Sequence, residues 1–254
     1  MASAITLTFG DAAENHTGME ILGSKTDDTF ECCDLDKIHD TLKTQGATVE
    51  HIYLNTQEGH PEASVLIIRN GVDWLLGAGS ADGLLKENIA FDWDTKYWDR
   101  RRSKVLNKRA RYNVCYGDTS RPAAFEQGCG TIIGYQGVPL TKALKDALPS
   151  VFGEKAKSLQ LEGNYYYDIK KCGIGFHGDT ERSKVIGVRL GEPIPLVYKW
   201  YKHAKVVSDP MVFHLEHGDM YVMSKKAVGN DWKKRNIYSL RHAAGCKKYT
   251  GLES

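Results

Sequence analysis

The sequence predicts a mainly β protein with flanking helices, an α+β chain whose C-terminal two thirds form a sandwich or jelly roll. Short runs rich in β-branched and aromatic residues recur there, each bounded by Gly, Asp or Pro. Two other segments carry a helical period, enough to brace an outer sheet. No repeat, low-complexity tract or obvious linker interrupts the 254 residues, a length that buries one good core with a small appended unit.

Taken in order, Leu35, Ile38 and Leu42 have helical spacing between Asp34 and Thr44, with Asp34 as the cap. His51 to Leu54 and Ala63 to Arg69 read as strands, the second ending in the turn signal Asn70-Gly71. Leu140, Leu144 and Leu148 recur every four residues, predicting a helix from Pro139 to Val151 that Gly153 can stop. Strands are then expected at Leu159 to Tyr167, Lys184 to Leu190, Leu196 to Tyr201, Met211 to Leu215, Asp219 to Met223 and Ile237 to Arg241. Residues 1–95 read as a separate mixed α/β unit without an interpretable motif, and residues 96–254 as the principal domain.

A hydrophobic content of 41% and a charged content of 26% are those of an ordinary soluble protein. No apolar run approaches the roughly 20 residues that span a bilayer, and the N-terminus has no secretory pattern. The six cysteines form no CxxC, which suits free thiols in a reducing compartment. The expectation is a soluble, intracellular protein. A net charge of +2 excludes the global basicity of a dedicated nucleic-acid binder, so any such binding needs a local patch. One exists: between Lys96 and Tyr112 eight Lys/Arg stand against one acid, Asp99, interleaved with Tyr97, Trp98 and Tyr112. Cations there can neutralise phosphates while aromatics stack on bases, although a solvated basic face has the same composition.

His177-Gly178-Asp179 is the sharpest chemical signal. On an extended strand residues i and i+2 point the same way, so an imidazole and a carboxylate can meet one metal ion. That is two thirds of the 2-His-1-carboxylate face that binds non-haem Fe(II). Alone the pair is weak evidence, since 9 His and 32 acids produce chance copies.

Its surroundings resemble the AlkB family of Fe(II)- and 2-oxoglutarate-dependent oxygenases. ARYNVCYGD (Ala110 to Asp118) is similar to the family's stretch ending in Tyr-Gly-Asp, and LQLEGNYYYD (Leu159 to Asp168) to its Asn-x-Tyr strand. GFHGDTE resembles the metal strand, LEHGDMYVMS (Leu215 to Ser224) the Leu-x-His-Gly-Asp strand, and RNIYSLR the Arg-x5-Arg strand. The pieces run in order from about residue 110 to 245. The resemblance implies a double-stranded β-helix core, Fe(II) on His177 and Asp179, and 2-oxoglutarate held by Arg235 and Arg241 with help from Asn164 and Tyr166. Arginine suits this task because its planar, always-charged fork grips a carboxylate bidentately. The resemblance further implies that Glu181 helps to read the target base and that Tyr116 lines the substrate lid. His217 and Asp219 repeat the His-x-Asp pattern but correspond to a structural strand start.

The pattern breaks at the third ligand. The family's second histidine lies between the LEHGD strand and the arginine strand, and Ser224 to Arg235 contains none. A local likeness puts Lys234 at that place, where a protonated ammonium cannot coordinate. The resemblance to related oxygenases, whose distal ligand stands about ten residues before the co-substrate arginine, implies Asp231 instead, ten residues before Arg241, and a carboxylate is an acceptable Fe(II) ligand. Two protein ligands plus water, or loss of metal catalysis, stay open. His242 alternates to the face opposite Arg241 and is read as no ligand. The expected function is oxidation, by demethylation or hydroxylation, of a base in DNA or RNA. The alternatives are a hydroxylase of a protein side chain or small metabolite, and a non-catalytic binding module on an oxygenase scaffold.

Overall fold

Seven residues near the N-terminus, Ala4–Gly10, organise the main sheet. In the computed structural model, which describes residues 2–252, this strand pairs antiparallel with Gln160–Tyr166 on one side and Val185–Gly191 on the other. It thereby sits inside an eight-stranded sheet ordered Val49–Tyr53, Ser64–Ile68, Met220–Met223, Val185–Gly191, Ala4–Gly10, Gln160–Tyr166, Tyr112–Gly117, Ile132–Gly134. The expected separate unit over residues 1–95 is therefore corrected: its first strand is central to the sheet of the principal domain. The signal was there, since ITLTF alternates apolar and polar, but a lone alternating run does not reveal its partners.

Strand accounts for 36% of the chain and helix for 24%, which makes it mainly β with flanking helices around a curled sheet. Side-chain alternation separates the two faces. Ile5, Leu7, Phe9, Leu66, Ile68, Ile186, Val188 and Val222 point outward and pack with Leu35, Leu42, Leu84, Leu144 and Leu148. Those leucines come from the helices Cys32–Thr44, Ser80–Ile89 and Pro139–Phe152. Asp34 is not the cap of the first helix: it lies inside, and accepts from the Glu31 amide at 2.9 Å. Gly153, at φ 69°, ends the third helix as expected.

A five-stranded sheet covers the other face, built from Gly173–His177, Ser239–Gly245, Ile194–Lys202, Lys205–Val206 and Met211–Leu215. Its Leu196, Tyr198, Trp200 and Leu240 pack against Val65, Ile67, Tyr221 and Met223 of the main sheet. Away from that apolar contact the main sheet presents Thr6, Thr8, Glu162, Asn164 and Arg189 inward, and a cavity of about 540 Å³ is left between the sheets. The polar residues of the sheet face thus position the site.

Trp200 is fully buried between the sheets, its indole N–H donating to the Leu54 carbonyl at 2.7 Å. Trp200→Ala should cost about 3–5 kcal/mol, as large-to-small changes at such sites do. Urea unfolding measures this; a loss below about 1 kcal/mol would mean that the sheets do not depend on this contact.

Candidate metal centre

Gly173–His177 and Ser239–Gly245 run antiparallel, with Gly173 opposite Gly245 and Ile174 opposite Ala244. An unbroken ladder would continue to set Phe176 against His242 and His177 against Arg241. Instead a bulge between Ile174 and His177 inserts one residue, and His177 faces His242. Asp179 follows beyond the strand end, its amide donating to the Val228 carbonyl at 3.0 Å. The result is a cluster of His177, Asp179 and His242 whose ligand atoms all lie within 4.8 Å of one another. Both imidazole Nε2 atoms stand 3.5 Å from Asp179 Oδ1. His242 is therefore the third candidate ligand, which corrects its dismissal from strand alternation.

The neighbours suit a metal. His177 Nδ1 lies 2.9 Å from the Gly175 carbonyl and 3.0 Å from that of His242, which keeps the proton there and leaves Nε2 its lone pair. Burial pushes the Asp179 carboxyl up, but Arg182 and the two imidazoles outweigh it and hold it well below the usual carboxylate range. Burial lowers the pKa of His242, with the charge of His177 adding to it, favouring the neutral, ligating form. Gly178 is required between the ligands because a Cβ would overlap the Gly229 carbonyl of the neighbouring turn. Two imidazoles and one carboxylate are the donor set of an open-faced ferrous site.

Arg182, only 4% exposed, anchors this loop. Its guanidinium pairs with Glu162 of the main sheet, lies 3.4 Å from Asp179 and donates to Glu181 at 2.7 Å. Arg189 is buried to 1% exposure and differs in having no carboxylate partner among the described residues. Its Nε and Nη1 make no hydrogen bond, it lies 5.9 Å from the Tyr166 ring centroid, and burial lowers its pKa. Arg189 lines the same cavity as the three candidate ligands. Across the ladder it faces Thr6, whose hydroxyl is also buried without a partner. An arginine in the middle of the otherwise apolar run Val185–Leu190 was the signal that sequence reasoning missed.

No family model matches the chain. An uncharacterized protein of Acanthamoeba polyphaga mimivirus, R156, is 41% identical over 251 residues, 96% of either chain. The chain belongs to the family of R156. That kinship carries no activity with it, so the site of this R156 relative has to be read from its own residues.

The expected residues divide. Asn164, Tyr166 and Glu181 line the cavity of the candidate metal centre. The Asn164 amide is already committed, accepting from Arg111 and Asn113 at 2.7 and 2.6 Å and donating to Glu162 at 2.9 Å. Asp231 is corrected as a ligand: it pairs with Lys226 at 2.6 Å, outside the cluster. Arg235 is corrected as well, because the last strand starts at Ser239 and leaves it exposed in the preceding turn. Arg241 points away from the cavity, 4.0 Å from the Tyr201 ring and 5.2 Å from that of Trp232. Tyr116 lines no lid; it is fully buried and donates to Asn88 Oδ1 at 2.5 Å. Asp219 is structural as expected, accepting from the Asn70 and Glu216 amides, each at 2.9 Å.

His242→Ala should weaken Co(II) or anaerobic Fe(II) binding beyond the ~10- to 100-fold cost of losing an outer-shell partner, whereas Asp231→Ala should bind as the parent does. Calorimetric titration compares them, and the reverse order would reinstate Asp231. At the cavity mouth burial raises the Glu14 pKa from 4.5 to about 7, with Glu181 and Glu162 adding to the shift. Within that window the folded protein binds more protons at Glu14 than the unfolded chain, so its contribution to stability falls as pH rises. Glu14→Gln should flatten this fall, raising the melting temperature relative to the parent at pH 8 but not at pH 4; equal shifts at both would refute the titration.

Proposed function

We propose that this protein is an Fe(II)- and 2-oxoglutarate-dependent dioxygenase that oxidises a base in DNA or RNA. The observation that carries the reading is the shared cavity, with His177, Asp179 and His242 beside the partnerless guanidinium of Arg189. A buried, unpaired charge is costly, and an anion that completes it is correspondingly favoured. 2-Oxoglutarate is such an anion: one end suits the metal and the distal carboxylate suits Arg189 with the Thr6 hydroxyl. Iron bound here would supply oxygen activation coupled to decarboxylation of the keto acid. The chain's own residues hold the parts: Arg182 orients Asp179, and His177 Nδ1 keeps its proton on backbone carbonyls. The non-catalytic reading rested on an absent third ligand, and His242 takes away that ground.

The finer fold is part of the same reading. From Gln160–Tyr166 onward the chain passes between the two sheets as a jelly roll does, and ends its strands at Ser239–Gly245. The place between Val185–Gly191 and Gln160–Tyr166 is filled by Ala4–Gly10. We read the core as a double-stranded β-helix whose closing strand comes from the N-terminus. The arginine strand expected after the distal ligand then has no counterpart, and the cationic role passes to Arg189, across the ladder from Thr6.

For the substrate, Glu14, Glu162 and Glu181 line the cavity and give it carboxylate acceptors suited to an exocyclic amine. Only a base that is extruded or single-stranded can enter.

Anaerobic Fe(II) and 2-oxoglutarate should produce a charge-transfer absorption band in the parent protein. Arg189→Met should weaken 2-oxoglutarate by about 10- to 100-fold, the worth of one or two charge-assisted hydrogen bonds, and Arg241→Met should not. With O2 and methylated oligonucleotides, succinate and altered nucleosides should appear together. Absence of the band removes the oxygenase reading; a band without turnover on any oligonucleotide moves the substrate to a protein side chain or metabolite.

A further inference from the structure

A second cavity of about 510 Å³ adjoins the metal cavity, and His16 and Arg111 line both. It is built by part of the basic segment, which folds as the hairpin Lys96–Asp99 and Lys104–Asn107 followed by residues 108–111. Only four of the eight cations face it: Arg102, Lys108, Arg109 and Arg111. Among the described residues no acidic side chain lines it. Lys108 is buried and held by Asn15, through Oδ1 at 2.7 Å. Arg111 donates through Nε to Asn164 at 2.7 Å, which ties this wall to the metal cavity. Arg109 is exposed, and neither it nor Arg111 has a carboxylate partner among the described residues. Aromatic surface completes the lining: Tyr97 stacks on His16 with centroids 3.7 Å apart, and Tyr249 stands nearby.

The two cavities differ in their lining. The carboxylates Glu14, Glu162, Asp179 and Glu181 stand among the cations of the first, while the second offers cations and flat rings with no competing acid among the described residues. We propose that the second cavity holds the nucleotide next to the reacting base, its phosphate on Arg109 and Arg111 and its ring against the His16–Tyr97 pair. The recognised substrate is then a single strand of at least two units rather than a free nucleoside. This rests on the base-oxidation reading, but it concerns binding, which needs neither metal nor 2-oxoglutarate.

The test is fluorescence anisotropy of a 5′-labelled ten-residue oligothymidylate with the full chain, without added iron or 2-oxoglutarate. Arg109→Glu should weaken binding by about 10-fold or more and lower the salt dependence, as loss of a phosphate contact does. Arg101→Glu, an equal charge change in the exposed hairpin turn outside the cavity, should cost less than about 3-fold, because screening leaves little at a distance. Arg109→Ala, with less charge change, should fall between parent and Arg109→Glu, and matched melting temperatures exclude misfolding. His242→Ala should bind the strand as the parent does. Equal losses for Arg101→Glu and Arg109→Glu would mean diffuse attraction and overturn the proposal, as would no binding by the parent. If the strand fails to bind while the charge-transfer band persists, this inference falls and the oxygenase reading stands.

Discussion

Arg182 joins the two halves of the site. Its guanidinium, almost wholly buried, reaches Glu162 on the main sheet and Asp179 and Glu181 on the loop that follows the metal strand. Without it, three carboxylates would share a low-dielectric space without their common cation, and burial would push the Asp179 carboxyl up with less to oppose it. The same contact sets how far the loop stands from the sheet, and so where the first cavity opens. Asn230 reinforces it by donating to the carbonyls of Asp179 and Arg182.

Beyond that anchor, charge is sorted by position. Arg182 is saturated with acids, whereas Arg189, in the strand Val185–Gly191 that follows the same loop, has none among the described residues. Two buried guanidiniums of one loop-and-strand segment therefore differ in pairing, one tied to acids and the other left open to the cavity. Arg102, Lys108, Arg109 and Arg111 line the adjoining cavity, with no acid beside them among the described residues.

The N-terminal strand carries the architecture. Ala4–Gly10 supplies an apolar face to the helices through Ile5, Leu7 and Phe9, and a polar face to the cavity through Thr6 and Thr8. Because it stands between Val185–Gly191 and Gln160–Tyr166, no boundary at residue 95 can separate folding from the site.

Much was legible in the sequence because it depends on local pattern. Period-four leucines marked the Pro139–Phe152 helix, β-branched runs marked the later strands, and His177-Gly178-Asp179 marked the strand end where an imidazole and a carboxylate meet. What the sequence by itself determined was this inventory: mainly β, two sheets' worth of strands, one imidazole-carboxylate pair and a local basic segment. Which groups meet was decided by tertiary structure. Alternation alone separates Arg241 from His242 but does not say which of them faces His177; a one-residue bulge does, and it selects His242. Likewise Arg235 and Arg241 looked suited to an anion by type and spacing, yet Arg189 is the one enclosed without a partner, because burial and pairing arise only when distant strands close around a side chain.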